Sequence, residues 1–135
     1  MRLYRESLGT EDTSAVPHVI VEGPCSVGEF HVGFRPEEHR ADGRIIKFND
    51  SFLSARGTLA LVETVVVEGT KGAPPKTFFI VLAQREEGVG VRLLSATDPE
   101  KTEGVKRALA LLAACLKAQS PACRYGRTNL EPFLR

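Results

Sequence analysis

Between Gly57 and Ser120 the apolar rhythm of the chain changes from sheet-like to helix-like, and no other feature restricts the fold as strongly. Thr58 to Glu68 (TLALVETVVVE), Thr77 to Gln84 (TFFIVLAQ) and Val89 to Ser95 (VGVRLLS) read as strands. The first is β-branched and apolar on both faces, which suits either a central strand or one that pairs with a second copy. From Thr97-Asp98-Pro99-Glu100 an amphipathic helix is expected to run to about Gln119. Its start fits two registers: a capping box of Thr97 with Glu100, or Asp98 as N-cap with Pro99 at the first helical position. Val105, Ala108, Leu109, Leu112 and Leu116 make one apolar stripe, and Ser120-Pro121 ends it. Gly104, early in this helix, is expected to weaken it by about 1 kcal/mol relative to alanine.

Upstream, Pro17 to Glu22 reads as a strand stopped by Gly23-Pro24. Val27 to Phe34 (VGEFHVGF) alternates imperfectly and reads as a half-buried strand. Arg35 to Gly43 (RPEEHRADG) reads as a charged connection, and Arg44 to Phe48 as a short strand turned by Asn49-Asp50-Ser51. Phe52 to Arg56 fits either more sheet or one helical turn. Gly69 to Lys76 is expected to be a surface loop, and Arg85 to Gly88 a hairpin turn. These elements imply an α+β fold. A mainly antiparallel curled sheet, or partly open β-barrel, of about six strands carries one C-terminal amphipathic helix.

One domain is expected over residues 17–120, after an irregular lead-in at 1–16 and before a tail at 121–135. That tail carries Tyr125, Leu130, Phe133 and Leu134, enough apolar surface to pack on this domain or on a partner chain.

The chain has 135 residues with 18 basic and 17 acidic side chains, a net charge of +1, and this balance argues against a dedicated nucleic-acid binder. The longest apolar run is far short of a membrane span, and the N-terminus lacks the apolar stretch of a secretory signal. Three cysteines (Cys25, Cys115, Cys123) in no paired spacing suit free thiols in a reducing cytoplasm.

Catalytic and metal-binding patterns are missing. His18, Cys25, His31 and His39 lie in the first third of the chain, but none forms the close ligand pairs that zinc requires. Cys115 reads as core, and Cys123 has only Arg124 beside it to lower a thiol pKa. There is no nucleophile elbow, and Gly88-Val89-Gly90 opens a strand instead of the helix a phosphate loop needs. Glu37-Glu38 and Glu86-Glu87 are sequence neighbours that diverge in extended chain. Glu63 interrupts an apolar strand, so it needs an exposed setting or a cross-strand basic partner. No cofactor is implied.

The candidate binding residues are Arg35, His39, Arg40, Arg44 and Arg56, with Lys47 among them, interleaved with Glu37, Glu38, Asp42 and Asp50. Guanidinium forks suit carboxylates and phosphates, and loops on a sheet commonly carry binding groups.

Gly88-Val89-Gly90-Val91-Arg92-Leu93, followed by Thr97-Asp98-Pro99-Glu100 and a helix, resembles the closing segment of PilZ domains, small β-barrels that bind a cyclic dinucleotide. Arg40-x-x-x-Arg44 is similar to that family's first arginine motif, and Ser54-x-x-Gly57 to part of its second. Phe52 stands where that pattern has Asp or Asn, and the two motifs lie too close together to hold the intervening strand. The likeness covers about a third of the chain; it assigns no family and supplies a ligand class to test.

The expectation for function is a non-enzymatic binding or adaptor module, recognising a partner protein or a small anionic ligand through Arg35 to Arg56. The alternative is a self-associating structural protein, a homodimer pairing through residues 58–68 or the tail, and the third is an enzyme with no recognisable motif, which would need Glu63 or a histidine in a pocket.

Overall fold

The computed structural model describes residues 16–134, so all of the expected lead-in except Val16 lies outside the described residues. The three strands read between Gly57 and Ser95 are β4 (Leu59–Val67), β5 (Lys76–Gln84) and β6 (Gly88–Leu93). They are joined by β1 (His18–Glu22), β2 (Glu37–Ala41), β3 (Arg44–Leu53) and β7 (Arg124–Thr128). All pairings are antiparallel, in the order β2-β3-β4-β5-β6-β1-β7, and the sheet curls into a half-barrel. The expected α+β class is what the chain adopts, with seven strands among the described residues instead of about six.

Two helices, α1 (Val27–Gly33) and α2 (Glu103–Lys117), pack on the inner face of this sheet. Alternation decides which side chains face them: on β4, Ala60, Val62, Thr64 and Val66 are buried, while Leu59, Leu61, Glu63 and Val65 point outward. From α2, Val105, Ala108, Leu109, Leu112 and Leu116 complete the core, as their helical spacing predicts. The tail returns to the same domain, with β7 against β1 and Leu130 in the core.

Four local expectations are corrected. Val27 to Phe34 is a helix followed by an extended cap, not a strand. Ser26 Oγ accepts from Glu29 N at 3.0 Å, and Val27 and Phe30, one turn apart, are the residues that point inward. Arg35 to Gly43 is not a mere connection, because Glu37–Ala41 pairs with β3 through a two-residue Asp42-Gly43 turn. Both turn residues take positive φ, 56° and 75°, as a type I′ hairpin demands. Asn49-Asp50-Ser51 does not turn the chain; a bulge between Phe48 and Asp50 lets β3 run on to Leu53.

The long helix begins later than either expected register. Thr97 spends its hydroxyl on the Leu94 carbonyl, and residues 98–101 carry the chain onward. Thr102 is the N-cap, accepting from Val105 N at 3.3 Å. Gly104, expected only to weaken the helix, allows it to lie close to the sheet. A Cβ there would stand 2.6 Å from Val66 Cγ1 and 3.0 Å from Arg44 Cδ.

Candidate functional site

Helix α2 lies over β1, β6, β4 and β3, and leaves the inner face of the β2 edge partly bare. Its side facing that gap carries alanines four residues apart, Ala110, Ala114 and Ala118, too small to fill it. The result is a groove of two lobes, about 440 and 470 Å³, which share His39, Leu111 and Ala114. One lobe continues to Ile46, Ala110 and Phe133, the other to Phe34, Phe48 and Cys115. From Arg107 to Ala118 the groove follows about 17 Å of helix.

Four of the five candidate residues line this groove: Arg35, His39, Arg40 and Arg44. Arg56 does not. It sits beyond the far end of β3, a ten-residue strand, and so about 30 Å from Arg44.

Three of the four already have acidic partners in this chain, and Arg35 is held by backbone carbonyls. Arg44 Nε is 2.9 Å from Glu68 Oε1, and its Nη1 is 3.5 Å from Glu103 Oε2. Arg40 pairs with Glu38, and His39 Nε2 is 3.0 Å from Glu37 Oε1. Arg35 donates to the Phe34 carbonyl at 2.6 Å. Arg107, a rim residue that sequence reasoning did not single out, pairs with Glu103 at 2.8 Å and lies 5.5 Å from the Phe133 ring centroid. The rim is charged and, Arg35 apart, locally neutralised, and the floor is apolar.

The His39 ring packs edge-on against Phe48, 5.8 Å between centroids. Cys115 is exposed at the groove, while Cys25 and Cys123 are buried. Burial pushes the Cys115 thiol above its usual range, and the negative charge of Glu37 adds to this. Its place on the groove wall, instead of in the core, follows from helical phase: Cys115 lies one residue off the Leu112–Leu116 stripe.

The remaining polar candidates have ordinary structural roles. His31 Nδ1 meets Ser51 Oγ at 2.8 Å and fastens α1 to β3. Glu63, expected to need either an exposed setting or a basic cross-strand partner, has no such partner and stands partly exposed between Asp50 and Phe79 on the outer side of the sheet. Among the described residues no three His, Cys, Asp or Glu side chains are grouped to hold a metal ion. Among the same residues no helix is long and apolar enough to cross a membrane.

No family model, no curated protein and no solved structure matches the chain. Arg40 and Arg44, the residues that resemble the PilZ motif, flank the β2–β3 turn, and each is held by carboxylates of this chain.

Proposed function

We propose that this chain is a non-enzymatic binding module whose α2–β2 groove seats the apolar face of a helix from a partner protein. One observation carries the reading: the floor is apolar and the basic residues around it, Arg35 apart, already sit beside this chain's own acids. A free anion would have to displace Glu38, Glu68 or Glu103 to reach Arg40, Arg44 or Arg107, and Arg35 alone offers it no second cation to close a fork, which favours the partner protein over the small anionic ligand. The row Ala110, Ala114, Ala118 lets a second helix approach α2 closely, and His39, Ile46 and Phe48 supply the sheet side of its seat. A reducing cytoplasm suits an exposed thiol on the groove wall and two free buried ones.

Selection of the full chain against a displayed library of random 20-residue peptides tests this. The expected winners are amphipathic helix formers, and filling the groove by Ala114→Trp weakens them at least about tenfold, 1.4 kcal/mol. Winners that bind Ala114→Trp unchanged would falsify the reading. So would a rise in thermal stability with phosphates or cyclic dinucleotides, with no selected peptide dependent on the groove.

A further inference from the structure

The outer face of the sheet is a second surface, independent of the groove. Both helices pack on the opposite side, and among the described residues no other element covers it. The strand registers set Phe52, Leu61, Val81 and Arg92 side by side across β3, β4, β5 and β6. Phe52 is 49% exposed, and its ring lies 6.3 Å from that of Phe79.

One step along the strands from that row, Asp50 and Glu63 are directly opposed. Like charges in register destabilise a strand pair, and among the described residues neither carboxylate has an ion pair. Arg92, exposed two strands from Glu63, has none either. The face therefore carries an acidic pair on β3–β4, an arginine on β6, and between them Leu61, with Val81 buried beneath its neighbours.

This arrangement is self-complementary. A two-fold axis parallel to the strands, between β4 and β5, lays β3 and β4 of one copy over β6 and β5 of the other. Leu61 then lies over strand β5 of the second copy, whose Val81 is already covered by its own neighbours, so the exposed apolar contact comes from Phe52 and Leu61. Arg92 of that copy lands over Phe52, one two-residue step (about 7 Å) from Asp50 and within reach of Glu63. We propose that this outer face is where a second copy of the chain packs, with Arg92 of each copy placed on the Asp50–Glu63 pair of the other. Strand β4 has no free edge, being paired with β3 and β5, so its contribution to self-association is through side chains and not through backbone ladders.

Sedimentation equilibrium of the full chain, from about 1 to 300 µM, reads the result. The wild type should show a monomer–dimer equilibrium, and Glu63→Lys and Arg92→Glu should each weaken it by about tenfold or more. An equimolar mixture of the two variants should associate again. In the mixed pair the new lysine faces the new glutamate at one contact, and native Glu63 faces native Arg92 at the other. A wild type monomeric throughout overturns the proposal, as does a dimer indifferent to both single changes. Failure of the mixture to associate, with both variants folded by circular dichroism, also overturns it. If Glu63→Lys does not fold, Asp50→Asn/Glu63→Gln takes its place, and undiminished dimerisation of that variant counts against the contact.

Discussion

Arg44 and Glu68 form a mostly buried ion pair, Nε to Oε1 at 2.9 Å, with their side chains 16% and 12% exposed. Glu68 also accepts from the Thr102 hydroxyl, the N-cap of α2. This carboxylate therefore joins the β2–β3 hairpin, the end of β4 and the first turn of the long helix. It fixes how far α2 stands from the β2 edge, and hence the width of the groove.

Removing one partner of that pair strands the other. Arg44→Met is expected to cost about 2–4 kcal/mol by urea denaturation at neutral pH, because Glu68 is left buried with a reduced hydrogen-bond set. Burial pushes the Glu68 carboxyl upward. Hydrogen bonds from Thr102 and Arg44, with the charges of Arg44 and Lys76, outweigh this and hold it below its ordinary value of 4.5. A carboxyl depressed in the folded state stabilises fully above its unfolded value, and that contribution is lost as pH falls through the folded one. The gap between wild type and Arg44→Met should hold steady down to about pH 5 and narrow below 4.5. A gap that widens in acid would contradict the assignment.

Gly104→Ala sets helix propensity against packing. Propensity alone promises a gain of about 1 kcal/mol. The added methyl would stand 2.6 Å from Val66 Cγ1 and press on Glu68 and Arg44, so a loss of about 1–3 kcal/mol is expected instead. Thermal unfolding decides it: a raised midpoint would show that the close approach of α2 to β4 is not required.

The strongest sequence signals were those whose side chains face one core. β4, β5 and β6 were legible because their β-branched and aromatic residues leave no other reading, and the α2 stripe because it repeats at helical spacing over a long run. β2 was hidden because it is an edge strand made by its backbone. Its side chains, Glu37 to Arg40, satisfy one another or Lys47, and only Asp42-Gly43 announced the hairpin. Helix α1 was hidden because it has seven residues, two of them glycine, over which both periodicities fit; Ser26-x-x-Glu29 was its one mark. The groove was half legible. Its basic rim stood out in the sequence with Glu37 and Glu38 beside it, but the partners that hold Arg44, Glu68 and Glu103, come from far along the chain. Its apolar wall is defined by the small size of Ala110, Ala114 and Ala118, a feature that no local pattern marks.

Thiol labelling probes the groove directly. Cys115 is exposed and the other two thiols are buried, so a maleimide should add to the native chain at one site. With its thiol held above the usual range by burial and then by Glu37, Cys115 carries little thiolate near neutrality, and its rate should climb as pH rises through 9.0. Glu37→Gln should speed the reaction at fixed pH by removing the charge. Mass spectrometry of the peptide containing Cys115 checks both, and equal labelling of all three cysteines would show that the native core opens readily.

Filling the groove separates its role in binding from any role in stability. Ala114 is shared by both lobes, each larger than 400 Å³, so the indole of Ala114→Trp has space beside Leu111 and Phe48. An aromatic ring buried there should leave stability unchanged or raise it by about 1 kcal/mol, since it covers apolar surface without displacing a packed side chain. Binding of a helical peptide should fall at least about tenfold in the same variant. The reverse change, Phe48→Ala, removes the ring beneath His39 and should cost about 3–5 kcal/mol of stability, because Phe48 is 3% exposed and belongs to the core. Calorimetric titration beside thermal unfolding measures both quantities on each variant. A groove that only fills space in the fold predicts that Ala114→Trp leaves peptide binding unchanged, and a groove that seats a partner predicts that binding falls without any loss of stability.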